Sequence, residues 1–312
     1  MKKSLSIFLY LLILVSPSLF AAPSYPDLAN STDGNLQQNL KKSLKKMGLS
    51  KHVANKKLAL SLVDITDPDN PKVASVNGTN MMYAASLPKI AILLGAFERI
   101  ENGTLKFDKK NRQLMTRMIR NSSNTAATAM LNKVGKKYLA KLLQSPRYKL
   151  YDKTKNGGLW VGKEYGRGAA FQRDPLHNIS HGATTLQVAR YYYLLETNRL
   201  VSAKLTKDMK EILSKPAINH KFVKGLKKIH PDSEIFRKSG SWRQFHADSA
   251  IVERDGRRYI AVALAENPKG GQWISQLIVE MDKLIFSEQV ASASSVSSSK
   301  LPAPALLISS LD

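Results

Sequence analysis

Residues 84–90 read AASLPKI. Ser86 stands three positions before Lys89, Pro88 lies between them, and the apolar run 90–94 follows. The stretch has two readings: the start of a buried helix with an N-cap serine, or a nucleophile set beside its base. Residues three apart share a helix face, so a first-turn Ser86 projects beside the Lys89 amine. Pro88 suits that turn, where its missing N–H leaves nothing unpaired. The motif alone does not choose. Ser-x-x-Lys occurs three times, at Ser43/Lys46, Ser86/Lys89 and Ser297/Lys300, and roughly one chance match is expected per few hundred residues.

Outward from this stretch, the chain alternates strand and helix signals. LQQNLKKSLKKMG (36–48) is amphipathic, with leucines on one face and lysines opposite, so Ser43 is surface decoration. LALSLVDITD (58–67) and KVASVNG (72–78) read as two strands joined by a turn. A helix is expected from Ser86 to about Asn102, then a helical block over 111–145, a glycine-rich connection over 157–182, and helices at 184–198 and 204–214. EIFRKSG, ADSAIVERDG and RRYIAVALAE (234–240, 247–256, 257–266) are three further strands, with Asp255-Gly256 as a hairpin turn. A last helix runs from Gly271 to about Phe286. These signals predict an α/β fold: one antiparallel sheet built from both chain ends, flanked by helices, with an all-helical lobe (about 86–215) inserted between them.

The termini lie outside that unit. A basic start (Lys2, Lys3), the apolar 7–15 and Ala21-Ala22 read as a signal peptide over 1–21, too short for a comfortable membrane span, with an uncleaved anchor as the alternative because Leu19 fits the −3 position imperfectly. Residues 22–35 form a lead-in, 36–287 the catalytic domain, and 288–312 a low-complexity tail expected to be disordered, which sets aside Ser297/Lys300. A secreted or periplasmic protein of the bacterial envelope follows. With no cysteine, disulfides, thiolate metal sites and thiol catalysis are excluded. The net charge is +24, and removing 1–21 leaves +22. Such a charge reads first as a solvated basic surface and second as attraction to an anionic cell envelope, while dispersed lysines without aromatic-rich motifs argue against nucleic acid.

Three elements then line up in order: Ser86-x-x-Lys89, Ser122-Ser123-Asn124 in MIRNSSNTAATAML, and Lys238-Ser239-Gly240 ending a strand in FRKSGSW. Over about residues 36–287 the chain resembles the serine β-lactamases and penicillin-binding DD-peptidases, most closely class A, which carry Ser-x-x-Lys, Ser-Asp-Asn and Lys-Thr/Ser-Gly in this order. The resemblance implies that fold, and a monomeric hydrolase without metal or cofactor. It also implies an acyl-Ser86 intermediate with β-lactams or D-Ala-D-Ala-like amides. Lys89 is the base, which requires a neutral amine favoured by burial and by Lys238. Ser122 relays a proton to the leaving nitrogen, and Asn124 holds the substrate amide and Lys89. Lys238 and Ser239 take the substrate carboxylate, Gly240 permits close backbone approach, the Ser241 amide joins that of Ser86 in an oxyanion hole, and Arg243 is an extra carboxylate clamp.

The pattern departs from the family in three places. The second motif has Ser123 where the family has aspartate, and the 36-residue step from Ser86 to Ser122 is shorter than in ordinary class A enzymes. The Glu-x-x-Leu-Asn string whose glutamate activates the deacylating water is missing. Asp174, in DPLHN, and Glu164, in GKEYGRG, are the candidate replacements. His177 and His181 offer a weak zinc alternative on a loop. β-Lactam hydrolysis is the first reading. A DD-peptidase or penicillin-binding protein, and a non-catalytic basic envelope binder, are the alternatives.

Overall fold

A computed structural model of the chain describes residues 25–298, with side chains to residue 287. The signal-peptide assignment and the end of the tail lie outside the described residues. After a 3-10 turn (Leu28–Asn30) come α1 (Gly34–Lys46), α2 (Ser50–Ala54), β1 (Leu58–Asp64), β2 (Lys72–Val76) and β3 (Met82–Tyr83). Then follow α3 (Lys89–Glu101), α4 (Lys109–Arg120), α5 (Asn124–Val134) and α6 (Lys136–Gln144). Four short strands come next, β4 (Tyr151–Asp152), β5 (Gly157–Gly158), β6 (Trp160–Val161) and β7 (His181–Ala183), and then α7 (Thr185–Glu196), α8 (Ala203–Leu213) and α9 (Phe222–Ile229). The chain returns to the main sheet with β8 (Glu234–Trp242), β9 (Phe245–Arg254) and β10 (Arg257–Glu266), and α10 (Gly270–Ser298) continues past the expected end near Phe286.

The main sheet has the order β2-β1-β10-β9-β8 and is antiparallel throughout, so both chain ends build it as the sequence predicts. Its side chains alternate with period two. Leu58, Leu60 and Leu62 of β1, with Tyr259, Ala261 and Ala263 of β10, face a core shared with Leu36, Leu40 and Leu44 of α1, Phe222 of α9, and Ile274 and Ile278 of α10. Ala59 and Val63, with Ile260, Val262 and Leu264, face the larger core under the helical lobe. Both faces are covered, and every residue of β1 is buried. Within the expected lobe, α7 packs on β1 and β10, whereas α3, α4, α5, α6 and α8 pack among themselves.

Two features position the site. Residues Lys89 to Glu98 of α3 are all buried, which makes α3 the central helix of the lobe. Strand β8 is the sheet's edge, and α4 and α8 of the lobe contact it. The reactive residues gather where the start of α3 meets that edge.

Candidate active site

Ser86 sits in a turn that precedes the helix rather than in its first turn. β3 delivers Ala84, whose amide donates to the His181 carbonyl at 2.9 Å, and Ala85 takes a left-handed φ of 51°. A non-glycine residue held there is strained. Leu87 N donates to Ala84 O (3.0 Å) and Lys89 N to Ser86 O (3.3 Å), and Pro88 at φ −64° is the cap from which α3 starts at Lys89. The expected helix start is corrected by three residues: proline at 88 holds its own φ while the preceding turn stays tight. Ser86 is half-buried and lines a cleft of about 540 Å³.

Lys89 is fully buried. Its ammonium donates to the Ser122 carbonyl at 2.6 Å and to Asn124 Oδ1 at 2.8 Å, lies 3.5 Å from Ser122 Oγ, and stands 4.5 Å from the centre of the Tyr165 ring. Burial pulls its pKa from 10.5 to about 7. Ser122 has φ 56°, which turns its hydroxyl and carbonyl toward the lysines. Ser123, at the variant position of the motif, is the N-cap of α5, its Oγ accepting from Ala126 N at 3.2 Å. The capping role therefore falls on Ser123, which leaves Ser122 and Asn124 free for the cleft.

From the other side, Lys238 on β8 is 1 % exposed and donates to Ser122 Oγ at 2.9 Å and to Ser239 O at 2.6 Å. Burial, then the charges of Lys89 and Arg237, hold its pKa well below the ordinary lysine range. One hydroxyl thus bridges two buried amines drawn from segments 149 positions apart, counting from residue 89 to residue 238. Gly240 closes the arrangement: a Cβ there would lie 2.2 Å from Ala84 O, 2.8 Å from Ser86 N and 2.9 Å from Leu87 N. The edge strand therefore rests directly on the backbone of the Ser86 turn.

A second layer, unmarked in the sequence, holds β8 from behind. Lys221 is 3 % exposed and in a strained conformation (φ 50°, ψ −116°). Its three N–H bonds go to Gly240 O (2.5 Å), Ser241 Oγ (2.7 Å) and Ala247 O (3.1 Å). Burial lowers its pKa to about 8, against the opposing pull of Asp248. His220 pairs with Ser239 Oγ at 3.1 Å, and burial brings its pKa to about 4, so it is neutral. Arg237 forms a two-pronged ion pair with the fully buried Asp248. Asp248 is the buried carboxylate that Lys238, Lys221 and Arg237 all feel, so basic groups outnumber acids here and the interior favours an anionic ligand.

The opposite wall comes from residues 163–166 and 178–181, with Tyr83, Trp242 and Phe245 at the hairpin side. Tyr165, 8 % exposed, has a phenol oxygen without a hydrogen-bond partner, and burial raises its pKa well above 10. Its ring lies 4.3 Å from that of His181. His181 bonds to Lys163 O at 3.0 Å, and burial lowers its pKa to about 4.

The remaining candidate residues sit as follows. Asp174 is 2 % exposed and does not line the cleft. Its carboxylate accepts from the Tyr151 hydroxyl and from the amides of Leu176 (3.3 Å), His177 (2.9 Å) and Ile179 (3.2 Å). It fastens its own loop and has no spare lone pair aimed at the cleft. Glu164 does line the cleft, but its carboxylate pairs with Lys136. Arg243 occupies the exposed turn between β8 and β9 at φ 50°, 4.4 Å from the Trp242 ring. It lies one residue past the end of β8, five positions along the chain from Lys238. His177 bonds to Asn156 O (3.3 Å) and His181 to Lys163 O, so the two imidazoles belong to separate loop anchors.

The sequence model of the beta-lactamase enzyme family matches residues 39–112 and 110–289. Solved structures agree at the level of the fold. A mutant of PBP-A, determined as an acyl-enzyme complex with penicillin G, is 18 % identical, covers 82 % of this chain and 98 % of its own, with a TM-score of 0.62. A beta-lactamase from Chitinophaga pinensis DSM 2588 is 14 % identical over 80 % of this chain and 99 % of its own (TM-score 0.60). A class A beta-lactamase from Bacteroides cellulosilyticus DSM 14838 is 13 % identical over 83 % and 100 % (TM-score 0.61). No curated protein matches the sequence.

Proposed function

The chain belongs to the beta-lactamase enzyme family, and from that premise we propose that it is a serine hydrolase acylated at Ser86 by β-lactams, which it then hydrolyses. The observation that carries this reading is the Ser122 hydroxyl held between Lys89 (3.5 Å) and Lys238 (2.9 Å), beside a Ser86 turn that touches Gly240. Ser86 Oγ attacks the lactam carbonyl carbon, and its proton passes to neutral Lys89. The Ser86 and Ser241 amides receive the oxyanion. As the C–N bond breaks, the nitrogen takes the Ser122 proton, which the adjacent amines restore. The substrate carboxylate sits toward Ser239 and Lys238. We extend the proposal to an exported, monomeric enzyme of the bacterial envelope, which the leader pattern and the charge of +24 support.

A second reading is penicillin-binding or DD-peptidase action on D-Ala-D-Ala-like amides with slow deacylation. It is favoured by the engagement of Asp174 in its own loop and by the Tyr165 ring beside Lys89. A fluorescent penicillin tests both. Labelling abolished by Ser86→Ala supports acylation, and its absence from folded wild-type protein rejects it. Label that clears within seconds marks a β-lactamase, with Glu164→Gln slowing the clearance if Glu164 activates water. A persistent adduct marks the penicillin-binding alternative.

A further inference from the structure

The sheet face covered by α1, α9 and α10 carries a second and larger cavity, of about 960 Å³. It lies between α9 and α10, and Met47, Ile229 and Val279 give it an apolar lining. Ile229 is 39 % exposed there, one of four large apolar side chains among the described residues that remain exposed. Lys224 and Lys228 stand exposed along the same cavity. The lining carboxylate, Glu280, is paired with Lys283 at 2.9 Å.

The surroundings extend this charge. Residues 34–63 contain no Asp or Glu, and Lys41, Lys42, Lys45, Lys46, Lys51 and Lys56 are all exposed. Lys57 finds a carboxylate in Glu266 at 2.8 Å. Lys45 and Lys46 form the last turn of α1, immediately before Met47 at the cavity. A merely solvated basic face has no use for an apolar hollow at its centre. A polyanionic polymer would engage the lysines but gain nothing from Met47, Ile229 and Val279. An anionic phospholipid offers a partner to both, phosphate to the ammoniums and acyl chain to the apolar lining.

We propose that this cavity and its lysine rim dock on an anionic phospholipid surface, with Lys224 and Lys228 at the headgroups and Ile229 at the acyl boundary. The inference does not depend on the chemistry at Ser86. The test is co-sedimentation of the full chain with vesicles of phosphatidylcholine, with and without phosphatidylglycerol. The wild type sediments preferentially with the anionic vesicles. Lys224→Gln combined with Lys228→Gln lowers partitioning roughly 25-fold, about fivefold per lysine charge removed at such a surface. Ile229→Ser lowers it by roughly fivefold through lost apolar contact. Both variants keep the wild-type thermal midpoint and penicillin-labelling rate, which shows that they are folded. Equal binding to both vesicle types, or undiminished binding by the double variant, overturns the proposal. So does an Ile229→Ser variant that binds like wild type, since the face would then read charge alone, as a polymer does.

Discussion

Gly240→Ala probes the junction on which the proposed chemistry rests. The added methyl would lie 2.2 Å from the Ala84 carbonyl oxygen and 2.8 Å from Ser86 N, both backbone atoms that no rotamer change can clear. Relief to ordinary contact requires β8 and the Ser86 turn to separate by about 1 Å or more. The Ser86 and Ser241 amides flank that contact, so the oxyanion donors move apart by a similar amount. A misplacement of that size costs roughly 100-fold in rate. Overpacking costs about 1–3 kcal/mol of stability, a fall of several degrees in the thermal midpoint for a domain of this size. The assay is the second-order rate of labelling by a fluorescent penicillin, with thermal unfolding in parallel. Gly34→Ala is the control, because a Cβ there meets nothing within 4 Å, and it should leave both quantities unchanged. A Gly240→Ala protein that labels within about threefold of wild type would refute the geometry.

Four further outcomes follow from the same geometry. Acylation should rise with pH through a midpoint near 7, because Lys89 with its pKa at about 7 acts as base only when neutral; a flat profile from pH 6 to 8 contradicts this. Because burial depresses that pKa from 10.5, the unfolded state binds more protons between pH 7 and 10.5. The destabilisation from Lys89 is therefore full below pH 7 and fades as pH rises through this window, so the stability gain of Lys89→Met over wild type, read from urea midpoints, should be larger at pH 6 than at pH 10. Lys221→Met strips the partners from Gly240 O, Ser241 Oγ and Ala247 O; stability should fall by about 1–3 kcal/mol, and labelling should slow at saturating penicillin. Asp174→Ala orphans the Tyr151 hydroxyl and three loop amides; it should lower stability by roughly 3 kcal/mol in urea titration while labelling stays near the wild-type rate.

The sequence carried the frame of this site but not its surroundings. β10 spans the ten residues of RRYIAVALAE because its alternation survives burial on both faces, with branched residues toward the lobe and alanines toward α10. Ser86, Lys89, Ser122, Asn124 and Lys238 were readable because their motifs bind residue type to spacing, and the fold brings these segments together. Lys221 and His220 were not, since they lie in an irregular stretch before α9, where neither periodicity nor motif marks a buried lysine. Tyr165 carries no signal beside Glu164, because aromatic residues in glycine-rich loops have no spacing rule. Asp174 is ambiguous in the sequence because a loop-fastening carboxylate and a general base look alike until their acceptor sites are counted. Arg243 stands in the exposed turn after β8, beside the Trp242 ring, a placement that no spacing rule marks.

The most direct test is mass spectrometry of the intact protein after brief exposure to a β-lactam, followed by peptide mapping. A single adduct of one β-lactam mass should appear on the peptide that contains Ser86, and should vanish in both Ser86→Ala and Lys89→Met. An adduct on any other residue, or undiminished acylation of Lys89→Met, would contradict the assignment of nucleophile and base.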